Sequence, residues 1–329
     1  MIDRLRAQQF AILLLAVSVA ALPLPAKAQP YYPTKAVTII TGAGAGSAPD
    51  VILRIIADRL TQIWQQQLVI LNRPGGGGLI AVQAASTADR DGYTLFMAIS
   101  STLTVLPETQ SKLPMDLNRD LVPIGLLGVL PMVFAAHPSL GVSTMPELIA
   151  LAKKRPGQVL YGAGRGTIPH LTGELLSRRA GIELTFIPYP TAARAAQDAI
   201  TGTLSLFIEA IPALAAPVQS GSLKALAVAS KTRLPNYPDW PTVAETLPAI
   251  GRFESIGWLV LMAPAGSPDT IIQKVNRDLL KVAEQHDVQQ RFETLGAYVR
   301  PLAPEETAAF IRSEQDLWRP VVREVLTEQ

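Results

Sequence analysis

Between Gly42 and Asp50 the chain reads GAGAGSAPD, directly after the β-branched run of Val37, Ile39 and Ile40 and before Ile52, Ile55, Ile56, Leu60 and Ile63 at helical spacing. That order is a strand, a glycine loop and a helix start, the arrangement in which uncovered backbone N–H groups converge on an anion. Pro49 suits a first helical position, and Asp50 complements the positive end of the helix dipole. The chemistry expected of this loop is non-covalent capture of a carboxylate. The competing reading is a tight turn that uses glycine for backbone reasons alone. A second loop, GAGRGT at 162–167, follows the short strand Val159 to Tyr161 and precedes the helix HLTGELLSRRA. Arg165 inside it can pair bidentately with a carboxylate, Thr167 can cap the helix or bond a ligand, and His170 either satisfies a local hydrogen bond or reaches the ligand.

Other chemistries lack their residues. No Lys-Ser or Lys-Thr follows Gly46, so there is no Walker loop, and the spacing G-x-G-x-G departs from the dinucleotide fingerprint. Ser47 stands in G-S-A and not in the G-x-S-x-G elbow of a hydrolase. His137, His170 and His286 lie far apart and the chain has no cysteine, so neither a local metal signature nor thiolate chemistry is present. No cofactor is expected.

The N-terminus reads as a secretory signal peptide: Arg4 and Arg6, an apolar run from Phe10 to Leu22, and Ala26-Lys27-Ala28 before an expected cleavage after Ala28. Removing residues 1–28 turns 29 bases and 27 acids into 26 and 26. A formally neutral mature chain argues against non-specific binding to nucleic acid.

The elements that must position the loops alternate. Strands are expected at LVILN, YTLFMAI, ELTFIPY, LSLFIE, LKALAVAS and WLVLMAP, with helices from about Thr144 to Arg155, Ala192 to Ile200, Pro212 to Ser220, Pro268 to Glu284 and from Pro304 onward. This spacing implies parallel sheets with helices on their faces, an α/β fold. Leu121 to Ala136 has no helical period and reads as one or two extended crossings between domains. Asn72-Arg73-Pro74 and the run Gly75 to Gly78 form a loop that is mobile unless packed. Ser100, Ser101 and Thr102 lie just past a strand's carboxyl end, where ligand crevices of parallel sheets open; the competing role is a helix cap.

Taken in order, VTII…GAG…PD, NRPGGGG, DGYTLFMA, HPSL, YGAGRGT…HLTGELL, IPY, LKALAVAS, PTVAET and MAPAGSP resemble the Bug (TctC-like) family of extracytoplasmic solute receptors. The resemblance runs from about Tyr32 to the C-terminus. It implies a type II periplasmic-binding-protein fold with two Rossmann-like domains, 29–130 plus 253–329 and 131–252, and a ligand cleft between them. It also implies a monomer that binds a small carboxylate and hands it to membrane transporter subunits. The cleft residues so implied are Gly44, Ala45, Gly46, Ser47 and Asp50 of the first loop, Gly164, Arg165, Gly166, Thr167 and His170 of the second, and Ser101, Thr102, Tyr189 and Glu209 beside them.

This sequence departs from the family pattern in places. Gly42-Ala43-Gly44 replaces the usual Pro-Phe-Pro, and Ser47-Ala48-Pro49 replaces Gly-Gly-Ser/Thr. Glu209-Ala210 stands where Asp-Asn is common, and Pro190 replaces a common Lys after Tyr189. An unpaired acid beside a bound carboxylate repels it, so Asp50 and Glu209 are expected either to organise loop N–H groups or to meet a donor such as a ligand ammonium or hydroxyl. Two other readings remain open at this level: an exported α/β enzyme with a phosphate-bearing ligand, and a receptor that feeds a signalling partner.

Overall fold

The computed structural model describes residues 32–110 and 112–326. The expected signal peptide and its cleavage site lie outside the described residues. From Lys35 the chain opens with β1 (Val37–Thr41), α1 (Ala48–Trp64), β2 (Leu68–Asn72), α2 (Leu79–Ser86) and β3 (Thr94–Ile99), and then enters the long strand β4 (Leu121–Ala136). Next come α3 (Met145–Lys154), β5 (Val159–Ala163), α4 (Ile168–Ala180), β6 (Leu184–Pro188), α5 (Ala192–Ile200), β7 (Leu206–Ala210), α6 (Ile211–Gln219) and β8 (Lys224–Val228). The chain returns through β9 (Ile256–Pro264) to α7 (Asp269–Ala283), α8 (His286–Thr294) and α9 (Pro304–Leu326).

The strands run in the order β2-β1-β3-β9-β4-β7-β5-β6, with β8 also paired to β4. Parallel pairing holds within β2-β1-β3 and within β6-β5-β7. It fails at the centre, where β9 is antiparallel to β3 and β4, and β4 is antiparallel to β7 and β8. The sheet is therefore mixed and not parallel throughout. Each outer set is built from strand–helix–strand crossovers, which force parallel neighbours. The antiparallel pairs at the centre join strands far apart in sequence, β9 with β3 and β4, and β4 with β7 and β8.

The run without helical period is one strand with two partners. Leu121 to Pro131 pairs with β9, and Met132 to Ala136 pairs with β7 and β8. Bulges fall between Pro123 and Gly125 and between Leu126 and Gly128. They absorb the missing proline donor and twist the strand. Almost every β4 side chain is buried, because helices cover both faces. Among the described residues β4 contributes to two apolar clusters. Phe96, Leu126, Trp258, Val260 and Ile311 belong to one; Val133, Ala135, Phe207, Leu214 and Val228 belong to the other.

Buried polar side chains lock the C-terminal helices onto this frame. Asn276 in α7 donates to the carbonyls of Ile124 and Leu302 at 2.8 and 2.9 Å. Glu314 in α9 accepts from the indoles of Trp258 at 3.0 Å and Trp318 at 3.3 Å. No helix among the described residues is long and apolar enough to cross a membrane.

The glycine run after β2 is packed at its last residue, while Gly75 to Gly77 are exposed. Gly78 is buried with φ +101°, and a Cβ there would lie 2.6 Å from Thr102 Oγ1. A Cβ on Gly42 would in turn lie 3.1 Å from Gly78 Cα. Small size at both positions brings the link between β2 and α2 against the first glycine loop. Gly78→Ala is therefore expected to destabilise the fold by roughly 1–3 kcal/mol in denaturant unfolding, from backbone strain and overpacking. Gly44→Ala, with no atom within 4 Å of its Cβ and no positive φ, is expected to stay within about 0.5 kcal/mol.

Candidate functional site

The loop between β1 and α1 is held from inside. Asp50, fully buried, accepts from the Gly46 N–H at 2.8 Å, from Arg54 Nε at 2.9 Å and from Asn72 Nδ2 at 2.8 Å. Asn72 also donates to the Ala43 carbonyl at 3.0 Å. Burial opposes the charge on Asp50, yet the donors from Arg54, Asn72 and Gly46 outweigh it and hold the carboxyl below its usual range. Asp50 thus shapes the loop with lone pairs already committed.

The loop between β5 and α4 repeats this geometry. The Gly166 N–H donates to His170 Nδ1 at 3.1 Å, four residues on, as Gly46 does to Asp50. The Ser47 N–H donates to the Gly44 carbonyl, and the Thr167 N–H to the Gly164 carbonyl, both at 3.1 Å. Gly46 and Gly166 have φ of +77° and +75°, a conformation glycine adopts without strain. The sequences match accordingly: Gly-Ala-Gly-Ser-Ala-Pro-Asp from Gly44 and Gly-Arg-Gly-Thr-Ile-Pro-His from Gly164. His170 is buried and stacked on Phe186 with centroids 3.7 Å apart. Burial, and then the charge of Arg165, push its pKa down to about 4, so the ring is neutral and free to accept.

Neither helix uses its N-cap hydroxyl as a cap. Thr167 Oγ1 turns back to the Gly164 carbonyl at 2.7 Å, and Ser47 Oγ is buried with no hydrogen-bond partner among the described residues. The first-turn donors of α1 and α4 are left for something else.

Both helix starts open on one cavity of about 340 Å³. Ala48 and Pro49 line it from α1, and Thr167, Ile168 and Pro169 from α4. Ser100 and Ser101 close it at the end of β3; Leu130, Met132 and Trp258 form its apolar floor. Glu209, at the end of β7, is the ionisable side chain in this lining, and its Oε1 accepts the Ala210 N–H at 2.8 Å. Burial pushes its pKa up to about 7 against that one hydrogen bond.

Of the residues singled out from sequence, Pro49, Ser100, Ser101, Thr167 and Glu209 line this cavity. Gly44, Ala45 and Gly46 form the exposed tip of the first loop, and Ser47 and Asp50 lie at and below the helix start. Arg165 is on the exposed rim, its guanidinium 6.0 Å from the Phe186 ring, and lines an adjoining hollow with Gly166, Ser101 and Thr167. Gly164 is half-buried beneath that rim, and His170 sits inside the loop it anchors. Thr102 packs on Gly78, away from the cavity lining. Tyr189 bonds Asp198 at 2.7 Å and packs its ring on Gly162. The floor residues Leu130, Met132 and Trp258 were not anticipated: in sequence they are indistinguishable from core.

The proton on Glu209 links stability to pH. A carboxyl at about 7 in the folded state and at the ordinary 4.5 when unfolded binds more proton folded than unfolded between these values. Its contribution is fully present below about 4.5 and is lost as the pH rises through about 7. The unfolding free energy of the ligand-free wild type relative to Glu209→Gln is expected to fall across that window and then level off. A flat difference in chemical denaturation from pH 4 to pH 8 would contradict this.

The model of the tripartite tricarboxylate transporter family receptor matches residues 52–326. BugT of Bordetella pertussis is 33% identical over 310 residues, covering 94% of this chain and 94% of BugT. A UPF0065 protein of Bordetella bronchiseptica is 31% identical over 312 residues, covering 94% of this chain and 92% of its own. Among solved structures, R. palustris Rpa4515 with adipate superposes with a TM-score of 0.78 at 27% identity, covering 89% of this chain and 98% of that one. MatC from Rhodopseudomonas palustris with bound malate gives 0.73 at 27% identity, covering 88% and 100%. The two-domain α/β architecture of periplasmic binding proteins is thus common to this chain and its structural neighbours. The chain belongs to the tripartite tricarboxylate transporter receptor family, whose members, Bug proteins among them, are solute-binding receptors and not enzymes.

Proposed function

We propose that this protein is a periplasmic receptor that captures a small carboxylate in the cavity between α1 and α4 and delivers it to a tripartite tricarboxylate-type membrane transporter. The observation that carries this reading is the pair of matching loops, each presenting an uncapped helix N-terminus to one cavity. Two helix ends together supply about one unit of positive charge, enough to balance a carboxylate without a side-chain cation. The neighbours Rpa4515 with adipate and MatC with malate support a carboxylate as ligand class.

The mechanism is domain closure. α1 follows β1 in one set of strands and α4 follows β5 in the other, so an anion touching both helix starts favours the closed arrangement by its differential contact there. The lobes assigned to this motion are 29–130 with 253–329, and 131–252. Export by the N-terminal segment puts the receptor in the periplasm. The partner subunits are the membrane components of the transporter.

Thermal unfolding of residues 29–329 against aliphatic, aromatic and amino carboxylates tests the ligand class, with NAD and ATP as controls. A carboxylate at about 100 times its Kd is expected to stabilise by about 2.7 kcal/mol, a shift of several degrees. A shift with nucleotides alone would overturn the receptor reading. Asp50→Ala is expected to weaken the same carboxylate about tenfold or more without touching it, because the first loop loses three donors' common acceptor. An unchanged Kd in calorimetry would separate the loop's shape from binding.

A further inference from the structure

Resting on the receptor reading, we infer that the preferred ligand is a carboxylate that also carries a cationic nitrogen on a short apolar body, with Glu209 as the residue that selects for the cation.

The cavity is electrostatically asymmetric. The N-termini of α1 at Ala48 and α4 at Ile168 supply positive potential for one carboxylate; α6, whose N-cap Ala210 and first-turn Pro212 also line the cavity, already has the Glu209 carboxyl on its Ala210 N–H, and α5 starts at Ala192 behind its own Thr191 cap. Arg, Lys and His are absent from its lining, so no side chain there neutralises a second anionic group. Glu209 instead adds an acid. Among the described residues no salt bridge to it exists, and the hydrogen bond it accepts, from the Ala210 N–H at 2.8 Å, is made by Oε1, so Oε2 has no hydrogen-bond donor within the chain. The rest of the lining is largely apolar, with Leu130, Met132, Ile168 and Trp258, and its polar side chains besides Glu209 carry hydroxyls, those of Ser100, Ser101 and Thr167.

Bringing a carboxylate into a cavity whose lining already holds an acid with no cationic side-chain partner is unfavourable unless a positive charge enters with it. A zwitterion supplies that charge: its carboxylate meets the helix starts and its ammonium donates to Oε2 of Glu209. A dicarboxylate of the same length sets a second negative group against Glu209. The proton shared by the raised carboxyl of Glu209 lessens this repulsion below neutral pH, so discrimination is sharpest above it.

The test measures Kd by calorimetry at pH 8 for matched straight-chain amino acids, dicarboxylates and monocarboxylates of four and six carbons, on wild type and Glu209→Gln. Wild type is expected to bind the amino acid at least tenfold tighter than the matched dicarboxylate. Glu209→Gln is expected to lose that preference, weakening the amino acid at least tenfold and sparing the monocarboxylate. The wild-type ranking stands as a test even if the variant folds poorly. Wild type preferring dicarboxylates, or Glu209→Gln leaving the amino acid's Kd within about twofold, overturns the inference while the receptor reading stands. Failure of every carboxylate to bind, of either charge pattern, overturns both.

Discussion

A helix N-terminus stripped of its cap is a costly thing to keep, and in this fold the glycine loops put two of them, those of α1 and α4, on one cavity. The cost is met inside the loops. Asp50 and His170 hold the Gly46 and Gly166 N–H groups from below, so the shape of each loop is set by hydrogen bonds within the chain. One anchor is a carboxylate held charged by Arg54 and Asn72, the other a neutral imidazole kept so by burial. The two achieve the same loop geometry with opposite electrostatics. Only acceptance of a hydrogen bond is required of either, and preorganised donors aimed at a site of negative charge interact more strongly than donors that must reorient.

The second requirement is a frame that carries both loops. β4 meets it by changing partners along its length, from β9 up to Pro131 to β7 and β8 from Met132. The same handover contributes Leu130 and Met132 to the cavity floor, so the segment that joins the two strand sets also touches what lies between them. Trp258 on β9 completes the floor and is pinned from behind by Glu314 of α9. Side chains at the junction thus have one face in a core and one in the cleft, which ties ligand shape to the packing of the frame.

Much of this was legible in the residues. The glycines of both loops, Pro49, the capping Thr144 and the alternating apolar runs specify strand, loop and helix by local physics, and the helix at Ala192 to Ile200 falls where periodicity puts it. Strand direction was not legible, because period-two burial is the same for parallel and antiparallel neighbours; β4 and β9 differ for that reason. The correspondence of Ser47-Ala48-Pro49-Asp50 with Thr167-Ile168-Pro169-His170 is hidden in sequence because Asp and His share no chemistry until both are seen accepting from a glycine four residues back. Adjacent hydroxyls are equally opaque: Ser101 faces the cavity while Thr102 packs on Gly78, a choice made by backbone direction at the end of β3. The four glycines read as a loop mobile unless packed; Gly75 to Gly77 are exposed, and Gly78, with φ +101°, is packed against Thr102.

The central claim is that one anion is held by both helix starts at once, and backbone amide shifts read it directly. Uniformly 15N-labelled receptor, titrated with the tightest-binding carboxylate, is predicted to show saturable downfield shifts of the Ala48, Asp50, Ile168 and His170 amides with one common Kd. Shifts confined to one helix start, or centred on the basic hollow formed by Arg179, Lys231, Arg252 and Arg300 on another part of the surface, would contradict the account.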